Sequence, residues 1–424
     1  MPNLSQLLTS KCSAEYQRVF ELCRDVSNDL DSVDGVYVVG GLVRDLIIDR
    51  SPSDIDISVV GDAKTFSLEV ASRLGAALTD ESQFLTFKID TCGIFSDVSS
   101  IDVVTSRFET YAEPAGLPQV KVSSIEDDLN RRDFSVNAMA ISLSRSDWGT
   151  LVDPKNGFGD VMRKRIKVLH DGSFVDDPTR IFRAVRYAVR LGFKIESGTK
   201  ELMSKSLANI DRLSGSRIRN EFELILSETE LVEILRVSEA IGLLGAISPG
   251  LRIGTKALQV LSEQSEQELA SAELSRTIAI ATFGLNENEA KQVVERFNAP
   301  DSWEESIIGN VQLAKQVGVL DEENIAPSEV AEILDRIPLT SINAYILAGP
   351  PLPRRGKLVE YLEKFQFIKP EITGKDLLMI GIPQGPVIGQ LIDLVRRAKL
   401  DGKVSTKQEE IDLAKSGFPR LQTK

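Results

Sequence analysis

Asp54 and Asp56, separated by a single isoleucine in "SPSDIDISVV", are two carboxylates that a β-strand would turn to one face. Like charges at that range repel, and the ordinary remedies are a shared proton or bound divalent cations. Just upstream, "VVGGLVRD" ends an apolar run at Gly40 and Gly41 and sets Arg44 one turn into the helical pattern that follows. Such a turn offers backbone amides and a guanidinium to phosphate oxygens, with Asp45 placed to hold the turn or the arginine. Oxygen donors beside a phosphate cradle point to Mg2+, with Asp54 and Asp56 as its ligands. The chemistry that follows is two-metal transfer, in which one ion activates an attacking hydroxyl and the other steadies a leaving pyrophosphate. A merely exposed, Asp-rich turn after Pro52 is the alternative.

Three further stretches could complete such a site. Asp102, in the β-like run "SSIDVVTSR", is an ionised group among apolar neighbours and needs a partner; a third metal-binding carboxylate or an ion pair with Arg107 would serve. "EDDLNRRDFSVNAMAIS" carries Arg131, Arg132, Asp133 and Asn137. Arginine can hold a triphosphate and asparagine can read a ribose 2′-hydroxyl, although an ion-pair cluster explains the same residues equally well. In "DDPTRIFRAVR", Asp177, Arg180, Arg183 and Arg186 recur every third residue. On a helix they form a ridge of donors beside an acceptor, matched to the edge of a nucleobase, with arginines left over for phosphates.

Other chemistries are excluded by what the chain lacks. His170 is its only histidine, which removes Ser-His-Asp triads and His-based zinc sites. No G-x-G-x-x-G follows the glycine pair, so the turn is no dinucleotide fingerprint. Cys12, Cys23 and Cys92 lie far apart and read as buried thiols rather than a disulfide or zinc framework. The net charge of −13 argues against a protein that coats nucleic acid everywhere. Yet residues 163–194 hold nine basic side chains against three acidic ones, the signature of a directed anion site or of one solvated helix face. No apolar run is long enough to cross a bilayer and the first residues lack a signal-peptide layout, so a cytoplasmic protein is expected.

The elements that must position these groups are legible in outline. At 424 residues the chain is too long for one core. Residues 12–30 have helical spacing, "GVYVVGG" reads as a buried strand, "LVRDLIID" as a helix, "DIDISVV" as a strand and "AKTFSLEVASRLGA" as an amphipathic helix. Strands are expected at "FLTFKID", "SSIDVVTS" and "NAMAISL", which makes residues 31 to about 150 a mixed α/β domain. Beyond about 160 the pattern turns helical. "DPTRIFRAVRYAVRLGF" starts near Pro178, capped by Asp176 or Asp177, and stops at Gly192. "SGSRIRNEFELILSE" starts at Ser214 or Ser216 and lines Ile218, Phe222 and Ile225 along one face. After the "GPPLPRR" break, Gly381, Gly385 and Gly389 surround a turn into a helix, suited either to a phosphate or to close helix packing.

"GGLVRD", "SDIDISVV", "RRDFSVNAMA", "DPKNGFGD", "DDPTRIFRAVR" and "SGSRIRNEFELIL" occur in the order and at the spacing of one family, covering residues 36 to about 226. The chain resembles the class II tRNA nucleotidyltransferases and bacterial poly(A) polymerases. That resemblance implies an α+β chain with a polymerase-β-like nucleotidyltransferase head (1–150) on a mixed sheet. An all-helical neck with the nucleotide-selecting motif (151–226), body (227–348) and tail (349–424) would follow. It implies addition of C and A, or of one of them, to the tRNA 3′ end from CTP and ATP, or poly(A) synthesis. Asp54, Asp56 and Asp102 would be catalytic, the first two holding Mg2+. Gly40, Gly41 and Arg44 would meet phosphates, Arg132 the nucleotide, with Asp133 and Asn137 supporting it or its ribose. Asp177 and Arg180 would present the template edge, with Arg183 and Arg186 completing the pocket. Body and tail would hold the tRNA acceptor arm, and "ETYAEPAGLPQVKVSSIE" resembles the loop that helps choose between stopping after CC and adding A. The template motif begins Asp176-Asp177 where the family often has Glu-Asp. A catalytically silent RNA-binding protein is the reading from another class, and intact carboxylates beside an intact arginine ridge speak against it.

Overall fold

The computed structural model describes residues 3–422 apart from 53, 111, 112, 114, 117, 265–272 and 351–354. They form two compact units, one of Met1–Glu221 with Arg236–Ala246 and one of Phe222–Leu235 with Ile247–Lys424.

The first unit is built on a mixed seven-stranded sheet. Its strands come from β1 (Val33–Val39), β2 (Ile55–Gly61), β3 (Ala77–Glu81), β4 (Thr86–Asp90) and β5 (Ser100–Thr105). An antiparallel ribbon of β6 (Arg107–Thr110) and β7 (Gln119–Val122) stands apart before β8 (Ala140–Ser142) and β9 (Leu151–Val152) complete the sheet. The order is β3-β4-β5-β2-β1-β8-β9, with β2 and β5 parallel and the other neighbours antiparallel. The last strand thus falls just past residue 150, where the sequence reading ends the head.

Alternation along β2 decides what the sheet presents. Ile55, Ile57 and Val59 are essentially inaccessible to solvent, so Asp56 must take the opposite face. Register then sets Asp56 beside Asp102 of β5 and sets Asp102 opposite Lys88 of β4. Two carboxylates and a lysine therefore form one cross-strand row. Of the expected pair, only Asp56 lies within the strand; Asp54 immediately precedes it. After α1 (Ser5–Ser10), the amphipathic α2 (Ala14–Asp29) packs on the sheet and buries Tyr16, Val19, Phe20, Cys23 and Val26. Tyr16 donates from its hydroxyl to the carbonyl of Pro52 at 3.0 Å, bracing the approach to Asp54.

The glycine turn leads into α3 (Gly41–Ile47), and α4 (Ala63–Leu74) covers the sheet with Phe66 and Val70. Beyond α5 (Ile125–Asn130) the chain becomes chiefly helical, through α6 (Gly157–Met162), α7 (Ser173–Asp176), α8 (Thr179–Leu191), α9 (Ser197–Ser206) and α10 (Gly215–Leu226). This part is not wholly helical: Arg165–Ile166 and Lys194–Ile195 form a short parallel pair that ties the segments flanking α8 together. α8 ends at Gly192, whose φ of 65° is left-handed, as its sequence predicts. Its start is capped by Asp177, whose Oδ1 accepts from the backbone N–H of Thr179 at 3.0 Å and from its hydroxyl at 2.7 Å. Ile218, Phe222 and Ile225 are buried along α10 as expected.

The second unit is helical, with one core around Leu313, Leu334 and Ile342 and another around Leu377, Leu391 and Val395. A Cβ at Gly381 would meet nothing within 4 Å, and the φ of +90° there identifies a turn residue, not a close-packing one. Cys12 and Cys23 are buried, whereas Cys92 is exposed in the turn before Gly93, contrary to the expectation of three buried thiols. Among the described residues no helix is long and apolar enough to cross a membrane.

Candidate active site

Asp54, Asp56 and Asp102 line one cavity of about 910 Å³ together with Gly40, Gly41 and Arg44. The remaining wall brings in Arg132, Asp133, Asn137, Asp177, Arg180 and Arg183. Of the residues expected to be catalytic or to bind the nucleotide, Arg186 alone is not part of this lining. The reason is helical geometry. At 3.6 residues per turn each step of three falls back by about 60°, so a ridge that faces the cavity at Asp177 has rotated away by Arg186. Arg186 is buried instead against Glu221, Nη1 to Oε2 at 3.2 Å.

The carboxylate end is electrostatically strained. Burial pushes the Asp56 carboxyl up to about 6; Arg132 opposes the shift, while Asp102 and Asp54 add to it. Burial likewise raises Asp102, against Lys88, whose Nζ lies 3.7 Å from its Oδ1. Lys88 is therefore the ion-pair partner of Asp102. Arg107 pairs with Glu109 at 2.9 Å instead, because it lies on the next strand beside that residue. A divalent cation would relieve this repulsion. Among the described residues no three acidic, histidine or cysteine side chains form a closed ligand set. Two carboxylates with coordination left for phosphate and water oxygens are the donor set that suits magnesium.

The same cavity is lined by a chain of ion pairs, buried at Arg44 and Asp133. Asp45 grips Arg44 through both oxygens, at 2.9 and 3.0 Å, and Arg44 Nη1 donates to Asn137 Oδ1 at 2.6 Å. Asn137 Nδ2 donates in turn to Asp133 Oδ1 at 3.0 Å, and Asp133 Oδ2 accepts from Arg183 Nη2 at 2.7 Å. Both ends of the Asn137 amide are thus engaged within the chain. Asp128, fully buried, holds Arg131 at 2.7 Å and Arg132 at 3.1 Å. Arg132 Nε is buried with no hydrogen-bond partner among the described residues.

Gly40 explains why the turn needs glycine. Its φ is 75°, and a Cβ there would stand 2.8 Å from Arg132 Nη1 and 3.6 Å from Asp56 Oδ2. Gly40→Ala is expected to displace Arg132 and lower activity ~10- to 100-fold, and to cost about 1–3 kcal/mol of stability through backbone strain, checked by steady-state kinetics beside a thermal melt.

Residues 36–167 match the family described as "Poly A polymerase head domain", and residues 192–253 match "Probable RNA and SrmB- binding site of polymerase A". An A-adding tRNA nucleotidyltransferase of Geobacter sulfurreducens is 34% identical over 89% of this chain, but the chain spans only 44% of that protein's length. Another A-adding tRNA nucleotidyltransferase, from Halalkalibacterium halodurans, is 31% identical over 91% of this chain and 90% of that protein. The chain belongs to the tRNA nucleotidyltransferase family. Other family relatives carry other names, such as the CC-adding tRNA nucleotidyltransferase of Deinococcus radiodurans at 27% identity, covering 88% of this chain and 87% of that protein. The fold agrees with that of a CCA-adding enzyme in an apo form, with a TM-score of 0.79 at 28% identity over 98% of this chain and 99% of the other. The Thermotoga maritima CCA-adding enzyme complexed with tRNA gives 0.72 at 27% identity with the same coverage.

Within this tRNA nucleotidyltransferase fold, several cavity residues escape a reading by sequence alone. Arg217 of α10 donates from Nη2 to Asp177 Oδ1 and from Nη1 to the carbonyl of Ala115, both at 2.8 Å. It thereby links Asp177 to the stretch 109–126, of which Tyr111, Ala112, Pro114 and Leu117 lie outside the described residues. Arg180 is 5% exposed and donates to Ser173 Oγ at 2.7 Å and to the carbonyl of Arg131 at 2.8 Å. Tyr187 and Arg190 also line the cavity. Steps of four and seven from Arg183 keep them on the arginine face, a signal that the i+3 pattern hid.

Proposed function

We propose that this chain is an A-adding tRNA nucleotidyltransferase, transferring adenylate from ATP to a tRNA 3′ end that already carries CC. The observation that carries the reaction class is that Asp54 and Asp56 line one arginine-rich cavity together with the glycine pair. The preference for A rests on likeness, since the relatives named A-adding stand at 31–34% identity and the CC-adding one at 27%. Asp54 and Asp56 would hold magnesium, with Asp102 beside them. When bound, the metal would polarise the α-phosphate and favour the ionised 3′-hydroxyl that attacks it. The amides of Gly40 and Gly41, with Arg44 and Arg132, would bind the nucleotide's phosphates. Asp133 and Asn137 would hold Arg44 and Arg183 in place. Asp177 and Arg180 would present acceptors and donors to the base, and Arg217 would fix the carboxylate. The neck, body and tail divisions at 151–226, 227–348 and 349–424 remain part of this reading, the body and tail gripping the acceptor arm by shape and phosphate contacts.

The test is extension of defined transcripts lacking CCA, ending in one C, or ending in CC. ATP should be added to the last alone, and CTP to none at more than a trace rate. Incorporation of CTP into the shorter transcripts would establish CCA addition instead. Arg180→Ala should lower the ratio of kcat/KM for ATP over CTP at least ~10-fold, the size of one lost base contact, with tRNA affinity held within about threefold. An equal loss for both nucleotides would remove Arg180 from the template role.

A further inference from the structure

Tyr187 stands where four guanidinium groups converge. The carbon centres of Arg190, Arg183, Arg186 and Arg44 lie 4.9, 5.3, 5.6 and 5.7 Å from its ring centroid. Arg183 and Arg190 flank it at i−4 and i+3 on α8, while Arg44 reaches it from α3, one turn beyond the glycine pair. The ring is held from behind by Phe134, fully buried, in an edge-to-face contact at 6.0 Å. Its hydroxyl accepts from Arg183 Nη2 at 3.0 Å.

Four cations gathered around one side chain repel each other. Carboxylates answer part of this, through Asp45 on Arg44, Asp133 on Arg183 and Glu221 on Arg186. The negative face of an aromatic ring answers another part without occupying the cavity as a carboxylate would, leaving the guanidiniums available to an anion. We propose that Tyr187 is a positioning residue for the triphosphate. Its ring sets Arg44, Arg183 and Arg190 in a fan that receives the phosphates which leave as pyrophosphate. This rests on the nucleotidyltransferase reading above and adds to it a residue that never touches the base or the metal ligands.

The fan binds charge present in both substrate and transition state, so its loss shows in KM before kcat. In steady-state assays on tRNA ending in CC, Tyr187→Leu should raise the KM for ATP at least ~10-fold, with kcat and tRNA affinity each within about threefold of wild type. Tyr187→Phe keeps the ring and should recover most of the shift. Arg190→Gln, at an exposed position, should raise the same KM several-fold and weaken inhibition by added pyrophosphate in parallel. Unchanged KM in Y187L and R190Q overturns the proposal, as does Y187F behaving like Y187L. Should the wild type add nothing to tRNA, the nucleotidyltransferase reading fails. Calorimetric binding of Mg-ATP and of pyrophosphate to the same variants then decides the role of Tyr187 separately: weakened binding in Y187L with recovery in Y187F supports it, and equal binding throughout overturns it.

Discussion

Replacing Asp54 and Asp56 together with alanine should reduce nucleotide incorporation by at least ~1,000-fold, because the several kcal/mol of charge stabilisation a bound metal supplies would be lost with its ligands. Affinity for tRNA should stay within about threefold, since in the proposed reading the body and tail would grip A-form RNA by shape and phosphate contacts. Stability should not fall. Asp56 is disfavoured in its charged form by burial and by Asp102 and Asp54, so the apo double variant should melt at the wild-type temperature or above it. That combination separates removal of the ligands from unfolding. Single-turnover extension, filter binding and a thermal melt on one preparation check all three. Incorporation surviving within tenfold of wild type would reject the metal assignment, and a lowered melting temperature would show the pair to be structural.

Asp56 was readable because a strand alternates with period two, whereas Asp54, one residue before the strand, is not placed by that alternation. Ile55, Ile57 and Val59 are apolar, so Asp56 had only one face to occupy. Asp102 was readable as a charged residue in an apolar run, but its partner was not. Which lysine or arginine stands opposite is decided by strand register, and β4 rather than β6 supplies it. The arginine ridge was half readable. Steps of three on a helix look like one line in the sequence and are a spiral in space, so the pattern joins Arg186 to residues it leaves and hides Tyr187 and Arg190. Arg217 lay in a recognised motif, yet its tie to Asp177 joins residues 40 apart in sequence, which no local pattern encodes. The two-residue strands at Arg165–Ile166 and Lys194–Ile195 are too short for any periodicity to register.

Asp133→Ala should be the most destabilising single change at the site, by about 2–3 kcal/mol, because it removes the buried acceptor of several hydrogen bonds and leaves Arg183, a third exposed, without its carboxylate. Asp133 is 7% exposed and accepts from the backbone N–H of Phe134 at 2.8 Å, from Asn137 and from two nitrogens of Arg183. Burial works against its charge, yet Arg183 and Asn137 outweigh that and hold the carboxyl below the ordinary range. Asp128 is likewise held low, burial being overcome by Arg132 and Arg131. A folded-state pKa below the unfolded value of ~3.9 means stability fully present above that pH and lost as pH falls through the folded value. Glu221 runs the other way: burial raises it despite Arg186, so protonation restores a little stability as pH drops. Urea unfolding of the wild type should therefore weaken steeply below about pH 4. Asp133→Ala should start lower and show a shallower acid limb, its share of the pH dependence having gone with the carboxylate. An acid limb as steep as the wild type's would mean that Asp133 carries no proton linkage to folding, and that the Arg183 pair is held by packing instead.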